Sequence, residues 1–252
     1  MKVDVIVAPT FLKEDDLKGC QCAVIDVLRA TSTIITALAN GAKEVRPCLT
    51  VDEAKKGVAK LPRDSYLLGG EDMGKNIPGS DLGNSPLEYM AGEVVGDKVI
   101  YSYTSNGTGA IWKAYAGCGS PVYIAALINV SAVSSAMAKE AAGGQGKGIA
   151  IVCSGRYGGP STEDFFCAGM MVDRIARGLR KHGIETQLSD AASAASDIAA
   201  ANRGHGLNVL SSSEHGRFLE SIGFADDLIF ASRIDLYSVV PVFDGERVVL
   251  LK

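Results

Sequence analysis

The sequence predicts an α/β fold: an irregular architecture with a largely parallel or mixed sheet flanked by helices. Three observations carry this. Short apolar runs of strand length alternate with helix-length amphipathic stretches. Polar, glycine-bearing segments fall where those runs end, as in open α/β sheets that place ligands there. The 252 residues are 47% hydrophobic and 21% charged, the balance of a globular chain with a sizeable core.

In chain order, residues 3–7 read as a first strand and 23–25 as a second, ending at Asp26. Thr31 or Ser32 caps a helix through Ile34, Ile35, Leu38 and Ala39, which Asn40-Gly41 stops. Residues 45–49 form a strand, and 51–61 an amphipathic helix closed by Pro62. Residues 66–70 are a short strand that opens into a long loop. Residues 98–103 are a strand, followed by a turn and a helix with Ile111 and Trp112. Strands at 122–125 and 149–152 enclose a helix near 131–142. Residues 161–182 read as one long helix. An Ala-rich helical region runs from 189 to about 230, broken at Gly204-His205-Gly206. Strands near 237–243 and 247–251 flank Asp244-Gly245, a hairpin turn. The chain reads as one catalytic unit over 1–252, with a candidate bilobal break at the glycine-rich residues 143–148.

Several function classes drop out. The net charge of −4 and the lack of any Lys/Arg run argue against nucleic acid. No apolar run reaches membrane-spanning length, and the N-terminus reads as a strand rather than a signal peptide, so a cytoplasmic enzyme is expected. Cys20, Cys22, Cys48, Cys118, Cys153 and Cys167 match neither zinc nor CxxC spacing and read as reduced thiols. His182, His205 and His215 lack ligand spacing and read as surface or helix-end residues. Oligomeric state is open, a homo-oligomer included.

Four strand-end loops concentrate polar chemistry. In the first, Asp26 is placed for a hard cation, Arg29 for a bidentate grip on an oxyanion, and Thr31, Ser32 and Thr33 stand at a helix start with free N–H groups. A helix cap beside a surface arginine is the alternative. In the second, residues 70–86, Glu71 and Asp72 suit magnesium, which takes carboxylate and water oxygens and shares its shell with phosphate. Lys75 there neutralises anionic charge; a solvated loop is the alternative. In the third, Thr104, Ser105, Asn106, Gly107 and Thr108 form an oxyanion cradle, or else a plain turn. The fourth holds Ser154, Gly155 and Arg156, a second anion clamp. Behind it, Glu163 and Asp164 read as base, further ligand or the acidic end of a loose capping box begun at Ser161.

Known phosphatase and nucleotide signatures are missing. Cys153 and Arg156 lie too close for C-x5-R, Asp26-Val27-Leu28 lacks the second carboxylate of D-x-D, and neither G-x-x-x-x-G-K-[ST] nor HExxH occurs. The four loops, from Val24 through Thr33, Gly70-Glu71 through Asn84-Ser85-Pro86, Thr104 through Thr108, and Cys153 through Arg156 with Glu163-Asp164, resemble the 2-phosphosulfolactate phosphatase family, as does the stretch at Pro241. The resemblance implies Mg2+-dependent hydrolysis of (R)-2-phospho-3-sulfolactate to 3-sulfolactate and phosphate, the coenzyme M biosynthesis reaction. With it the expected site comprises Asp26, Glu71 and Asp72 on metal, and Arg29, Lys75 and Arg156 on the anions. Glu163 or Asp164 acts as base or further ligand, and Thr31, Ser32, Asn84, Ser85, Ser105, Asn106, Gly107, Thr108, Ser154 and Gly155 touch substrate. With no nucleophile evident, attack by water is expected. A phosphatase of another small phosphorylated acid, or a non-catalytic binder of small anions, stays open.

Overall fold

Strands buried on both faces need helices on both faces, and this chain supplies them in alternation. The computed structural model describes residues 1–13, 15–59, 61–144 and 146–251. Its strands are β1 (Lys2–Ile6), β2 (Cys20–Ile25), β3 (Glu44–Cys48), β4 (Tyr66–Asp72), β5 (Lys75–Asn76), β6 (Val99–Tyr103), β7 (Val122–Ala125), β8 (Gly148–Cys153), β9 (Gln187–Leu188), β10 (Pro241–Phe243) and β11 (Val248–Leu250). Its α-helices are α1 (Ala30–Ala39), α2 (Val51–Val58), α3 (Gly92–Val95), α4 (Gly107–Cys118), α5 (Val130–Ala142), α6 (Thr162–Lys181), α7 (Asp190–Ala201), α8 (Gly206–Ser212), α9 (Glu214–Ser221) and α10 (Ala225–Ala231). No helix among the described residues is long and apolar enough to cross a membrane.

The strands join in one sheet, ordered β5-β4-β6-β3-β11-β10-β7-β2-β8-β1-β9. It has two parallel parts, β4-β6-β3 and β7-β2-β8-β1-β9. The antiparallel hairpin β10–β11 links them, pairing Val242 with Tyr123 on one side and Val248 with Val45 on the other. Both contacts fall at the N-terminal ends of β7 and β3. Phe243, fully buried, locks the hairpin by edge-on contacts with Trp112 at 5.0 Å and Tyr115 at 5.4 Å.

Side-chain alternation along β2 assigns the two cores. Ala23 and Ile25 join α5, α6 and α7 in one cluster. Cys22 and Val24 join α1, α4 and Val45, Leu67 and Ile100 of the other sheet part in the second, so α1 and α4 lie between the two parts. The helix after β2 therefore covers one face and the helix after the adjacent β8 covers the other. That divergence opens a crevice at the C-terminal ends of β2 and β8, the usual ligand position in such sheets.

Most elements match their sequence expectation to within a few residues. Several details differ. Neither Thr31 nor Ser32 caps α1: the helix starts at Ala30, with Arg29 at the cap position, and both hydroxyls bond backwards to the Asp26 and Val27 carbonyls at 2.8 Å. Ser161 precedes α6 without a side-chain cap bond, so the loose capping box does not form. The penultimate strand shortens to Pro241–Phe243, because Tyr237 donates its N–H to Ile128 and carries the preceding residues away from the sheet. The expected helix over 51–61 ends at Val58, and Lys60 within that span lies outside the described residues. So does Gln145 in the 143–148 segment, which connects α5 to β8. Strands on both sides of that segment share the sheet. The two-residue β5 and β9 are too short to show a period in sequence.

Candidate active site

At the β2–β8 crevice a pocket is lined by Asp26, Leu28, Arg29, Glu71, Met73, Gly74, Asn84, Ser105, Asn106, Arg156, Tyr157, His215 and Phe218. Each of the four sequence loops contributes. The loops after β4 and β6 reach it because α4 leans on β2. Gly107, first residue of α4, approaches so closely that a Cβ there would stand 2.5 Å from Oδ2 of Asp26.

Asp26 directly follows β2 and is almost fully buried. Its Oδ1 accepts the Ala30 N–H at 3.2 Å. Burial pushes its carboxyl up to about 6, against the opposing pull of His215 and hydrogen bonds from Ser154 and Ala30. Glu71 faces it from β4. Its Oε1 accepts the Ser105 N–H at 2.8 Å, and its Oε2 accepts the Gly74 N–H at 2.5 Å and the Ser105 hydroxyl at 3.2 Å. Those donors fix the carboxylate in the wall.

The two arginines are held from outside the loops that carry them. Arg29 donates to Oδ2 of Asp227 at 2.7 Å, with both side chains 2% exposed, and its guanidinium lies 4.2 Å above the Phe224 ring. Arg156 donates to Glu214 at 2.7 Å and stacks between Tyr157 and Phe218 at 5.0 and 4.9 Å. Each guanidinium has five N–H donors in a fixed fork, so one ion pair leaves others for an anion.

Behind the pocket sits a second acidic layer. Asp164 ties the first and fourth loops together: Oδ1 accepts the Val27 N–H at 2.8 Å, and Oδ2 accepts the Gly155 N–H at 3.1 Å and the Ser154 hydroxyl at 3.2 Å. Burial, with the neighbouring Asp26 and Glu163 charges, drives its carboxyl well above the usual range. Glu163 is buried beside it, with Oε1 3.6 Å from Nδ1 of His215.

Of the residues expected from sequence, Asp26, Arg29, Glu71, Asn84, Ser105, Asn106 and Arg156 line the pocket. Thr31, Ser32 and Thr108 spend their hydroxyls on backbone carbonyls. Ser85 donates to Asp227 at 2.5 Å and so supports the partner of Arg29. Ser154, Gly155, Glu163 and Asp164 form the layer behind, and Gly107 packs on Asp26. Asp72 and Lys75 are exposed and pair across the β4–β5 turn outside the pocket. The reason is the pleat: adjacent strand residues project to opposite faces, so Glu71 and Asp72 do not turn to one ion.

Sequence reasoning missed the share of α9 and α10. His182 and His205 do sit at helix ends. His215, also near a helix start, is instead only 17% exposed and lines the pocket with Phe218. Asp227 and Phe224 hold Arg29. The available signal was a set of charged and aromatic residues, Glu214, His215, Phe218, Phe224 and Asp227 among them, that follows the Ala-rich stretch 191–201. No motif spacing marks it.

The donors facing the pocket are hard oxygens. Asp26 and Glu71 supply carboxylates, and Oδ1 of Asn84 is buried in the wall without a hydrogen-bond partner. No group of three or more His, Cys, Asp or Glu among the described residues has metal-holding geometry. Magnesium fits such a set, because it needs one or two carboxylates and completes its shell with water and phosphate.

Comparison with known proteins adds a second line. A family model described as 2-phosphosulpholactate phosphatase matches residues 6–246. The chain is similar to a probable 2-phosphosulfolactate phosphatase of Clostridium tetani, 36% identical over 243 residues, covering 96% of this chain and 97% of that one. It is 39% identical over 238 residues to one so named from Symbiobacterium thermophilum, covering 94% and 97%. It is 38% identical over 238 residues to another from Pseudothermotoga lettingae, covering 94% and 95%.

Proposed function

The chain belongs to the 2-phosphosulfolactate phosphatase family, and from that premise we infer that it hydrolyses (R)-2-phospho-3-sulfolactate to 3-sulfolactate and phosphate with the help of Mg2+. The observation that carries the reading is one pocket in which two buried carboxylates, Asp26 and Glu71, share the wall with a buried guanidinium, Arg29, and a half-buried one, Arg156. A phosphate, a carboxylate and a sulfonate on three carbons call for several cationic and N–H-rich walls. Arg29, Arg156 and the start of α4 at Asn106 and Gly107 offer them.

Asp26 and Glu71 are the residues proposed to hold magnesium. Bound there, the ion would withdraw charge from the phosphoryl group and acidify a water. The chain's own part is positional. Arg29 and Arg156 orient the phosphate, and the layer behind, through Asp164, keeps the first and fourth loops in register. Direct attack by water suits this pocket: no thiol lines it, and the Ser105 hydroxyl is tied between the Met73 N–H and Glu71, the carboxylate assigned to the metal. A non-catalytic anion binder would have no use for Asp26 and Glu71 beside the arginines. A cytoplasmic location fits six cysteines that are all unpaired.

The test is phosphate release from 2-phospho-3-sulfolactate by the purified chain with magnesium, against a panel of phosphorylated two- and three-carbon acids with and without sulfonate. Asp26→Asn is expected to abolish release while keeping the fold, since the amide oxygen still accepts the Ala30 N–H. Full activity in that variant, or in EDTA, overturns the metal reading. A faster ester in the panel reassigns the substrate.

A further inference from the structure

His215 stands in the pocket with no part yet in holding an anion or a metal. It is the second residue of α9, behind Ser213, whose hydroxyl oxygen accepts the Gly216 N–H at 2.9 Å. Its Nδ1 lies 3.6 Å from Oε1 of Glu163, a side chain only 1% exposed. The other Glu163 oxygen is buried with no hydrogen-bond partner. A carboxylate so enclosed is costly without a polar partner beside it, and the imidazole Nδ1 is placed there. The ring also stacks on Phe218, centroids 6.4 Å apart at 29°. Two sides of the imidazole are thus fixed. Nδ1 faces Glu163, and Nε2 is the nitrogen left for the pocket.

Breaking the phosphate ester of a secondary carbon leaves an alkoxide, which is too basic to depart unprotonated near neutrality. Arg29 and Arg156 do not give up protons. Glu71 is held as an acceptor by three hydrogen bonds, and Asp26 is assigned to the metal. Glu163 and Asp164 lie outside the lining. Resting on the phosphatase reading above, we propose that His215 donates the proton to the departing alkoxide oxygen and that Glu163 is the positioning residue that holds its imidazole. The water oxygen bonds to phosphorus as the ester P–O bond breaks. That bonding pair goes to the leaving oxygen, which takes the Nε2 proton. The attacking water keeps one hydrogen as the phosphate hydroxyl and loses the other to solvent, from which the imidazole is reprotonated.

The experiment compares the full chain with His215→Gln, His215→Asn and Glu163→Gln, in magnesium, across pH. Circular dichroism and urea midpoints verify folding. Two esters are used, 2-phospho-3-sulfolactate and 4-nitrophenyl phosphate. In the His215 variants kcat on the sulfolactate ester is expected to fall by about 10²-fold or more, KM to change far less, and the high-pH limb of kcat to vanish. On the nitrophenyl ester the deficit shrinks, because a nitrophenolate leaves without a proton. If wild type ignores that ester, the pH limb decides. Glu163→Gln is expected to keep the limb but displace it. Folded His215 variants with wild-type kcat, an unchanged high-pH limb, or equal losses on both esters overturn the proposal. Wild type that releases no phosphate from either ester overturns the phosphatase reading, and this proposal with it.

Discussion

Asp227→Ala tests the pocket's most buried charge pair. Arg29 and Asp227 are 198 residues apart in sequence, 2.7 Å apart in space, and each 2% exposed. Removing the carboxylate leaves a guanidinium in the interior with the Phe224 face, worth about 2 kcal/mol when desolvated, as partial compensation. Stranding one partner of a buried pair costs about 3–5 kcal/mol. The lost Ser85 hydrogen bond belongs to the same network and is not added separately. For a chain of this length the cost corresponds to a fall in Tm of roughly 6–20 °C. Urea unfolding at constant m-value reads it directly. Arg29→Met combined with Asp227→Leu removes both charges and is expected to be more stable than Asp227→Ala alone, while releasing no phosphate. A loss under about 1 kcal/mol in the single variant, or a double variant less stable than the single, refutes the reasoning that an unpaired buried guanidinium dominates.

Other outcomes follow from the same geometry. Gly107→Ala puts a methyl group against Cβ of Ala30 and 2.5 Å from Oδ2 of Asp26; phosphate release is expected to collapse and the urea midpoint to fall, the overpacking costing about 1–3 kcal/mol. Asp164→Asn replaces the Oδ2 acceptor by an N–H2 group facing the Gly155 N–H, and is expected to cost about 1–3 kcal/mol in urea and to raise hydrogen exchange at Gly155. Burial raises the Glu44 carboxyl, but hydrogen bonds from Arg46 at 2.7 Å and Arg247 at 2.8 Å outweigh it and hold it below its ordinary 4.5. Its contribution is therefore present above pH 4.5 and lost as pH falls through the depressed value. Urea midpoints measured downward from pH 5 are expected to fall less steeply in Glu44→Gln than in wild type.

How much of this was legible beforehand varies by element. The strand ends and their loops were, because hydrophobic period and turn residues act over a few positions: Asp26, Glu71, Ser105, Asn106 and Arg156 meet as those loops suggest. Adjacent carboxylates misled, since Glu71 and Asp72 look equivalent in sequence and the pleat turns them apart. The hydroxyls of Thr31 and Ser32 looked like ligands, yet their nearest acceptors are carbonyls five residues back. His215 looked incidental because its partner Glu163 lies on another helix.

By itself the sequence determined the α/β class, the alternation of buried faces and the four strand-end loops, all of which follow from local period and turn chemistry. The tertiary structure decided three things that no window of residues contains. The C-terminal hairpin sits between the two parallel sheet parts and joins them at one end. The helices α9 and α10 close the pocket, bringing His215 to Glu163 and Asp227 to Arg29. Which carboxylates face inward was settled by packing. Such pairings depend on the docking of distant elements, where burial makes each charge seek a partner regardless of its place in the chain.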